Sequence, residues 1–293
     1  MTALELHTER PTAWSSLARS GQLSALVDLD PDLGRDLPPH RWDAARRELP
    51  VRVGNLERGP WSPERVGTAG AAHLGILVVD GLVARELLAH DVASMELLGP
   101  GDVLRPWGES AESELLEAVV RWSALAPTRF ALLDRQLAAR LAAYPELHCA
   151  LLERFACRTR RLAVLQAISQ LNRVDRRLLT LLWHLAERWG RVTPHGVAVP
   201  LVLSHRMLGQ LVGARRPTVS SALGELARSG EVIRMADGTW LLAGTPVGAP
   251  DAQTARFIPP RRAALGVAPA AAALEPTGMP PLQSALGPDA AIV

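Results

Sequence analysis

The sequence predicts an α+β protein in two unlike halves joined by one long helix. Three observations carry that expectation. Between Gly67 and Leu133, short apolar runs are punctuated by turn residues, the pattern of a β domain. From Pro145 to about Leu171 no proline or glycine interrupts a helical pattern. From Leu203 to Leu242 the chain reads helix, tight turn, helix, hairpin. With 293 residues and 48% hydrophobic content, the chain is long enough for two cores.

Residues 1–20 read as a flexible polar leader, and 21–143 as the first domain. Leu23, Leu26 and Val27 mark a short helix within Gly21 to Leu37. Pro38-Pro39 breaks the chain, and the mixed, charged stretch from His40 to Leu49 leads into a short strand at Val51-Arg52-Val53. Leu74 to Val79 is a buried-strand run; Asp80-Gly81 predicts a hairpin turn, with Leu82 to Leu88 returning. Met95 to Leu98 ends at the turn cluster Gly99-Pro100-Gly101-Asp102. Val119 to Leu125 and Phe130 to Leu133 are two more strands, joined by Ala126-Pro127-Thr128. Short strands at this spacing predict a jelly-roll-like β-barrel.

A short helix spans Asp134 to Ala143, and 144–171 is the long one, with Pro145 in its first turn. Leu151, Phe155, Leu162 and Leu165 form a partial apolar seam along it, interrupted by Arg158. A helix this long exceeds what one small domain covers, so the seam is expected to be a dimer interface. Cys149 and Cys157 lie about 12 Å apart along the axis, too far for a mutual disulfide. Both are expected to be small buried hydrophobes. No histidine spacing argues for a metal.

Residues 172–244 form the second domain. Asp175 is expected to cap a helix running to Trp189, with Leu178, Leu179, Leu182 and Leu185 inside and Gly190 at its end. Short strands follow, up to Leu203. Ser204 is a good N-cap, and Leu208, Leu211 and Val212 make one apolar stripe. Gly213 and Ala214 are small enough for a tight turn. The next helix starts near Arg216 with Pro217 in its first turn; Val219, Leu223 and Leu226 face inward. Its outer face (Pro217, Ser221, Gly224, Arg228) is small and polar and is led by Arg215 and Arg216. That suits a helix lying in a DNA major groove, with little bulk along its length and donors at its start. Gly230 ends it, and Asp237-Gly238 predicts a two-residue hairpin loop. The unit is a winged helix-turn-helix.

Charge agrees with this. All 32 basic residues are arginine, and the net charge is only +2. Residues 173–244 hold ten arginines against five carboxylates, while 1–172 are net negative. Basic charge therefore concentrates where phosphate binding would need it. Residues 245–293, rich in Pro, Ala and Gly, are expected to be a disordered tail.

The stretches Leu203-Ser204-His205, Gly209 to Gly213 (GQLVG) and Ala214 to Ser220 (ARRPTVS) resemble the DNA-binding domain of the Crp/Fnr family of transcription regulators. The family's sensor domain is similar at Leu97 to Leu104 (LLGPGDVL) and Ser123 to Asp134 (SALAPTRFALLD). The resemblance implies an arginine pairing with guanine at Arg216, phosphate contact at Thr218, and groove-facing positions at Pro217 and Ser221. Arg215 stands where many members have a capping serine and is better placed for a phosphate; Ser204 and His205 complete the expected DNA-binding set. The resemblance also implies a small effector in the barrel, with Trp107, Gly108, Glu109 and Arg121 as pocket residues. Here the chain departs from cyclic-nucleotide binders. Residues 110–117 hold Glu112, Glu114 and Glu117 but no arginine, and Arg121 comes only in the next strand. Several carboxylates without a buried cation would repel a cyclic phosphate. No cofactor is therefore expected to be required, and cAMP or another small effector is not supported by these residues.

The reading is a homodimeric regulator binding near-palindromic double-stranded DNA, with RNA polymerase as a further expected partner. It is expected to be cytoplasmic and nucleoid-associated, with no membrane segment and no enzymatic activity, since nucleophile–base pairs, phosphate loops and metal spacings are missing. The alternative is a small-molecule or redox sensor acting through protein contacts with a vestigial DNA-binding domain.

Overall fold

The computed structural model describes residues 22–62, 74–106 and 118–245. The expected leader and nearly all of the expected tail lie outside these residues. The described chain opens with β1 (Gln22–Ala25), α1 (Leu26–Leu29), a 3-10 turn (Pro31–Gly34) and α2 (Pro39–Glu48). The expected short helix at the start is thus preceded by a strand. Pro39 does not break the chain but starts α2, because a proline at the first helical position loses no hydrogen bond. The sequence hides α2 because its only fully buried residue is Ala45.

Eight further strands follow: β2 (Pro50–Leu56), β3 (Gly59–Trp61), β4 (Gly75–Asp80), β5 (Val83–Ala89), β6 (Val92–Leu98), β7 (Val103–Leu104), β8 (Ala118–Ala124) and β9 (Thr128–Leu133). They form two antiparallel sheets, one in the order β1-β2-β9-β4-β7 and the other β3-β8-β5-β6. The jelly-roll-like expectation agrees with this arrangement, but two of its connections differ. Asp80-Gly81 is not a hairpin turn: β4 pairs with β7 and β9, whereas β5 pairs with β6 and β8. Ala126-Pro127 likewise passes from one sheet to the other. These two crossings touch. Gly81 has φ +95°, and a Cβ there would meet the Pro127 carbonyl oxygen at 2.5 Å. A turn signal in the sequence marks the bend, not which strand is the partner.

Between the sheets, Ile76, Val78, Leu98, Trp122 and Phe130 share one core. Leu77, Ala131 and Leu133 point the other way, into a second core with α1, α2 and the following helices. Burial on both faces explains why β4 reads as an unbroken apolar run. Two helices lead out of the barrel: α3 (Arg135–Leu141), capped by the Asp134 carboxylate on the Leu137 N–H at 2.9 Å, and α4 (Pro145–Ser169).

α4 carries 25 residues, or about 37 Å of helix. Three of its arginines bind three barrel carboxylates. Arg154 donates to Asp30 at 3.0 Å. Arg158 grips Glu96 with both arms at 2.7 and 2.8 Å. Arg161 donates to Asp102. Arg158 interrupts the sequence seam because it faces the barrel.

The winged domain comprises α5 (Val174–Trp189), β10 (Arg191–Thr193), β11 (Gly196–Val199), α6 (His205–Val212), α7 (Arg216–Arg228), β12 (Val232–Arg234) and β13 (Trp240–Leu242). Asp175 does not cap α5. Arg173 occupies the cap position, and Asp175, the second residue of the helix, accepts from the Arg173 guanidinium at 2.8 and 3.0 Å. The domain's core of Leu178, Leu182, Leu208, Val219 and Trp240 continues onto the outer face of the second sheet through Leu82, Ala84 and Leu97. Arg206 and Gln210 of α6 both reach Glu86 of β5. Arg177 of α5 donates to the carbonyls of Leu171, Val212 and Gly213, tying the end of the long helix to the end of α6. Among the described residues, no helix is long and apolar enough to cross a membrane.

Candidate nucleic-acid interface

Helix α6 begins as its sequence dictates. The Ser204 hydroxyl accepts from the Met207 N–H at 3.2 Å. It ends at Gly213, whose left-handed φ of 65° costs glycine nothing. The Ala214 N–H then returns to the Gly209 carbonyl at 2.9 Å. A Cβ on Gly209 would lie 2.4 Å from the Ala214 oxygen, so the tight turn demands glycine here. Arg215 holds the N-cap position of α7 with no side-chain cap bond, which leaves its guanidinium for other work.

Val219, Leu223 and Leu226 of α7 are buried. Arg215, Arg216, Pro217, Thr218, Ser221, Gly224 and Arg228 are exposed. A Cβ on Gly224 would meet nothing within 4 Å, so packing within the chain does not require glycine there. The open face of α7 has small residues along its middle, with Arg215 and Arg216 at the start, where the N-terminal helix dipole is positive as well.

His205 stands on the first turn of α6, and its Nδ1 lies 2.8 Å from Ser220 Oγ of α7. Burial, then the charges of Arg234 and Arg216, push its pKa below the ordinary histidine value. Three elements therefore meet here: α6 with His205, α7 with Arg216, and the wing with Arg234. Sequence reasoning passed over Arg234; its guanidinium sits 5.5 Å from the centre of the Trp240 ring. An arginine in an alternating strand beside the turn was the available signal. The wing loop is longer than two residues. Val232 pairs with Leu242 and Arg234 with Trp240, and Asp237 folds back to accept from the Thr239 N–H and hydroxyl at 2.9 and 2.6 Å. These side-chain bonds add to a backbone turn in which the Gly238 N–H donates to the Met235 carbonyl at 2.9 Å, so the loop holds Ala236 as well as Asp237-Gly238.

Residues 176–240 match the model of the Crp-like helix-turn-helix domain. The chain carries a Crp-like helix-turn-helix domain. The fold extends the likeness beyond that domain, to solved structures that cover about three quarters of the chain. It is similar to a CooA variant from Carboxydothermus hydrogenoformans, with 18% identity, 77% of this chain and 94% of that one covered, and a TM-score of 0.55. It is also similar to a cyclic nucleotide-binding domain containing protein from Listeria monocytogenes, with 17% identity, coverage of 73% and 96%, and a TM-score of 0.54. At such identities the likeness is one of fold. No curated protein matches the chain.

Outside the Crp-like domain, the expected pocket residues fare unequally. Trp107, Gly108 and Glu109 lie outside the described residues. Arg121 lies on β8, opposite Glu86 of β5, and is exposed; Val120 and Trp122 on either side turn to the core between the sheets. The barrel interior between these strands holds Trp122 against Trp61, ring centres 5.5 Å apart.

On the long helix, Leu151 is 4% exposed and packs in its own barrel's core, with Phe155 beside it. Leu165 packs against the winged-domain core, and Leu162 is 39% exposed. The face left open carries Cys149, Leu152, Ala156, Thr159, Ala163 and Gln166, all exposed, at spacings of three and four. The thiols are not buried hydrophobes as expected. Cys149 is exposed, and Cys157 donates to Glu153 at 3.2 Å. Burial and Glu153 raise the Cys157 pKa, which makes a reactive thiolate unfavourable. Among the described residues, no group of three His, Cys, Asp or Glu could hold a metal.

Proposed function

We propose that the chain is a sequence-specific DNA-binding transcription regulator that acts as a homodimer on a near-palindromic site and does not require cAMP. The observation that carries this reading is the open face of α7, where Arg215 and Arg216 head a strip of Pro217, Thr218, Ser221 and Gly224, all exposed among the described residues. Arg216 would specify, its planar fork suiting the O6 and N7 of guanine. Arg215, Thr218, Ser204 and His205, with Arg234 from the wing, would hold phosphates and set the register.

The dimer would form along the open face of α4. Alternating spacings of three and four make a straight stripe on a helix, and Ala156 and Ala163 allow a close approach. This places the interface one residue round from the leucine seam marked by Leu151. Independence from cAMP is supported by Arg121, whose exposed position beside Glu86 leaves it unable to neutralise a phosphate inside the barrel.

The test is selection of bound fragments from a random DNA pool by the full chain and by Arg216→Ala. The wild type should recover a two-fold symmetric motif, and the variant a motif degenerate at one position per half-site. Equal weakening on all DNA would remove Arg216 from specificity.

A further inference from the structure

His205, Arg216 and Arg234 come from three elements: the first turn of α6, the start of α7 and strand β12 of the wing. Neither arginine has a carboxylate partner among the described residues. The arginines of the long helix differ, for Arg154, Arg158 and Arg161 are each bound to a barrel carboxylate. The histidines of the winged domain differ in the same way. His184 has Glu187 beside its Nδ1 at 3.1 Å, whereas His205 has a hydroxyl there, Ser220 Oγ at 2.8 Å.

A hydroxyl both donates and accepts, so the Ser220 contact holds Nδ1 whether the ring is neutral or protonated. Nε2 has no partner among the described residues. Partial burial opposes protonation of the ring, and so do both charged groups that bear on it, Arg234 of β12 and Arg216 of α7. The ring is therefore largely neutral near pH 7 in the free chain. An anion seated among the three groups reverses this balance. It offsets the two guanidinium charges and gives a protonated Nε2 an acceptor. A backbone phosphate is the anion that α6, α7 and the wing would meet together on DNA.

We propose that DNA binding takes up a proton at His205: the ring, neutral in the free chain, becomes an imidazolium that donates from Nε2 to a backbone phosphate, so that DNA affinity rises as pH falls. The inference rests on the DNA-binding reading and adds a chemical signal to it. Coupling is reciprocal, so whatever factor DNA adds to the proton affinity of the ring, the proton adds to the affinity for DNA.

A phosphate contact is independent of sequence, so the probe is a duplex of random sequence, and the test stands apart from the question of specificity. The affinity of the full chain is measured at about pH 6 and about pH 8 at fixed ionic strength. It should be about tenfold or more higher at the lower pH, the effect of a one-unit rise in the pKa of one ring. Calorimetry in two buffers of different ionisation enthalpy should show protons taken up on binding. His205→Gln, which can still bond to Ser220 but cannot be protonated, should flatten the pH profile and abolish the uptake. His205→Arg, cationic at both pH values, should bind tightly at both. His195→Gln, at an exposed position on the turn between β10 and β11, should keep the wild-type profile. A flat wild-type profile, or a folded His205→Gln variant that keeps the slope, would overturn this inference and leave the DNA-binding reading standing. A chain with no affinity for any duplex at either pH would overturn both.

Discussion

Arg216, Gly224 and His205 would each make a separable contribution to the proposed DNA face. Arg216→Ala should cost about 1–3 kcal/mol of specific affinity, read by comparing the selected site with single-base variants of it. Gly224 points into open space within a helix, where glycine costs roughly 0.5–1 kcal/mol relative to alanine. Gly224→Ala should therefore raise the unfolding free energy by about that amount. Gly224→Glu should fold equally well and fail to hold DNA, because it sets a bulky anion on the face offered to phosphates. A Gly224→Glu variant that binds as tightly as wild type in a retardation assay would show that another face meets DNA. For His205, the depressed pKa means that the folded state binds the proton less well than the unfolded one. Its contribution to stability is present above the ordinary value of 6.5 and is lost as pH falls through it. Denaturant midpoints at roughly pH 7.5 and about 5.5 should converge in His205→Asn relative to wild type. A phosphate seated beside the ring favours the protonated form, so DNA should partly restore the acid loss.

At the scale of elements, the junction rests on α4. Glu96 is 6% exposed and accepts both arms of Arg158, while Arg85 stands 3.9 Å away. Arg158→Met should destabilise by about 3 kcal/mol, the lower end of the cost of stranding a buried charge, since Arg85 remains. The paired Arg158→Met, Glu96→Met variant should recover much of that in chemical denaturation. Arg158 also shows where sequence reading ended. In the winged domain the period of Leu208, Leu211 and Val212, the Ser204 cap and the Gly213 stop are local features, and local features are written in the sequence. The same holds for Asp134 and for the turn at Asp102. The partners of β4 and β5 depend on contacts between distant segments, and Asp80-Gly81 looks alike whether it closes a hairpin or crosses between sheets. Leu151 illustrates the same limit. Its spacing marks a helical stripe, but which neighbour covers the stripe is decided by the barrel, with the result that the open face lies one position away. Of the set proposed to face DNA, the residues on α7 were legible because a polar face at helical spacing has a mechanical meaning. Arg234 was not, because its place beside His205 and Arg216 exists only once the wing has folded back.

For the whole molecule, one helix serves two purposes. Its arginine face is committed to the barrel, through Asp30, Glu96 and Asp102, and its small-residue face stays open. Ala156→Arg on the open face should shift the sedimentation of the full chain from dimer to monomer without lowering its helicity. A dimer that survives this change would have to form elsewhere. The winged domain, held to the second sheet by Glu86 and by the core around Leu97, presents α7 outward. A pair of such domains related by a two-fold axis would address half-sites about one helical turn apart. The most direct measurement is the selection of genomic fragments by the purified full chain at two salt concentrations with no added nucleotide. The account predicts a two-fold symmetric motif whose binding falls steeply with salt, as phosphates and counter-ions exchange. Shallow, sequence-blind binding that becomes specific only when cAMP is added would contradict it.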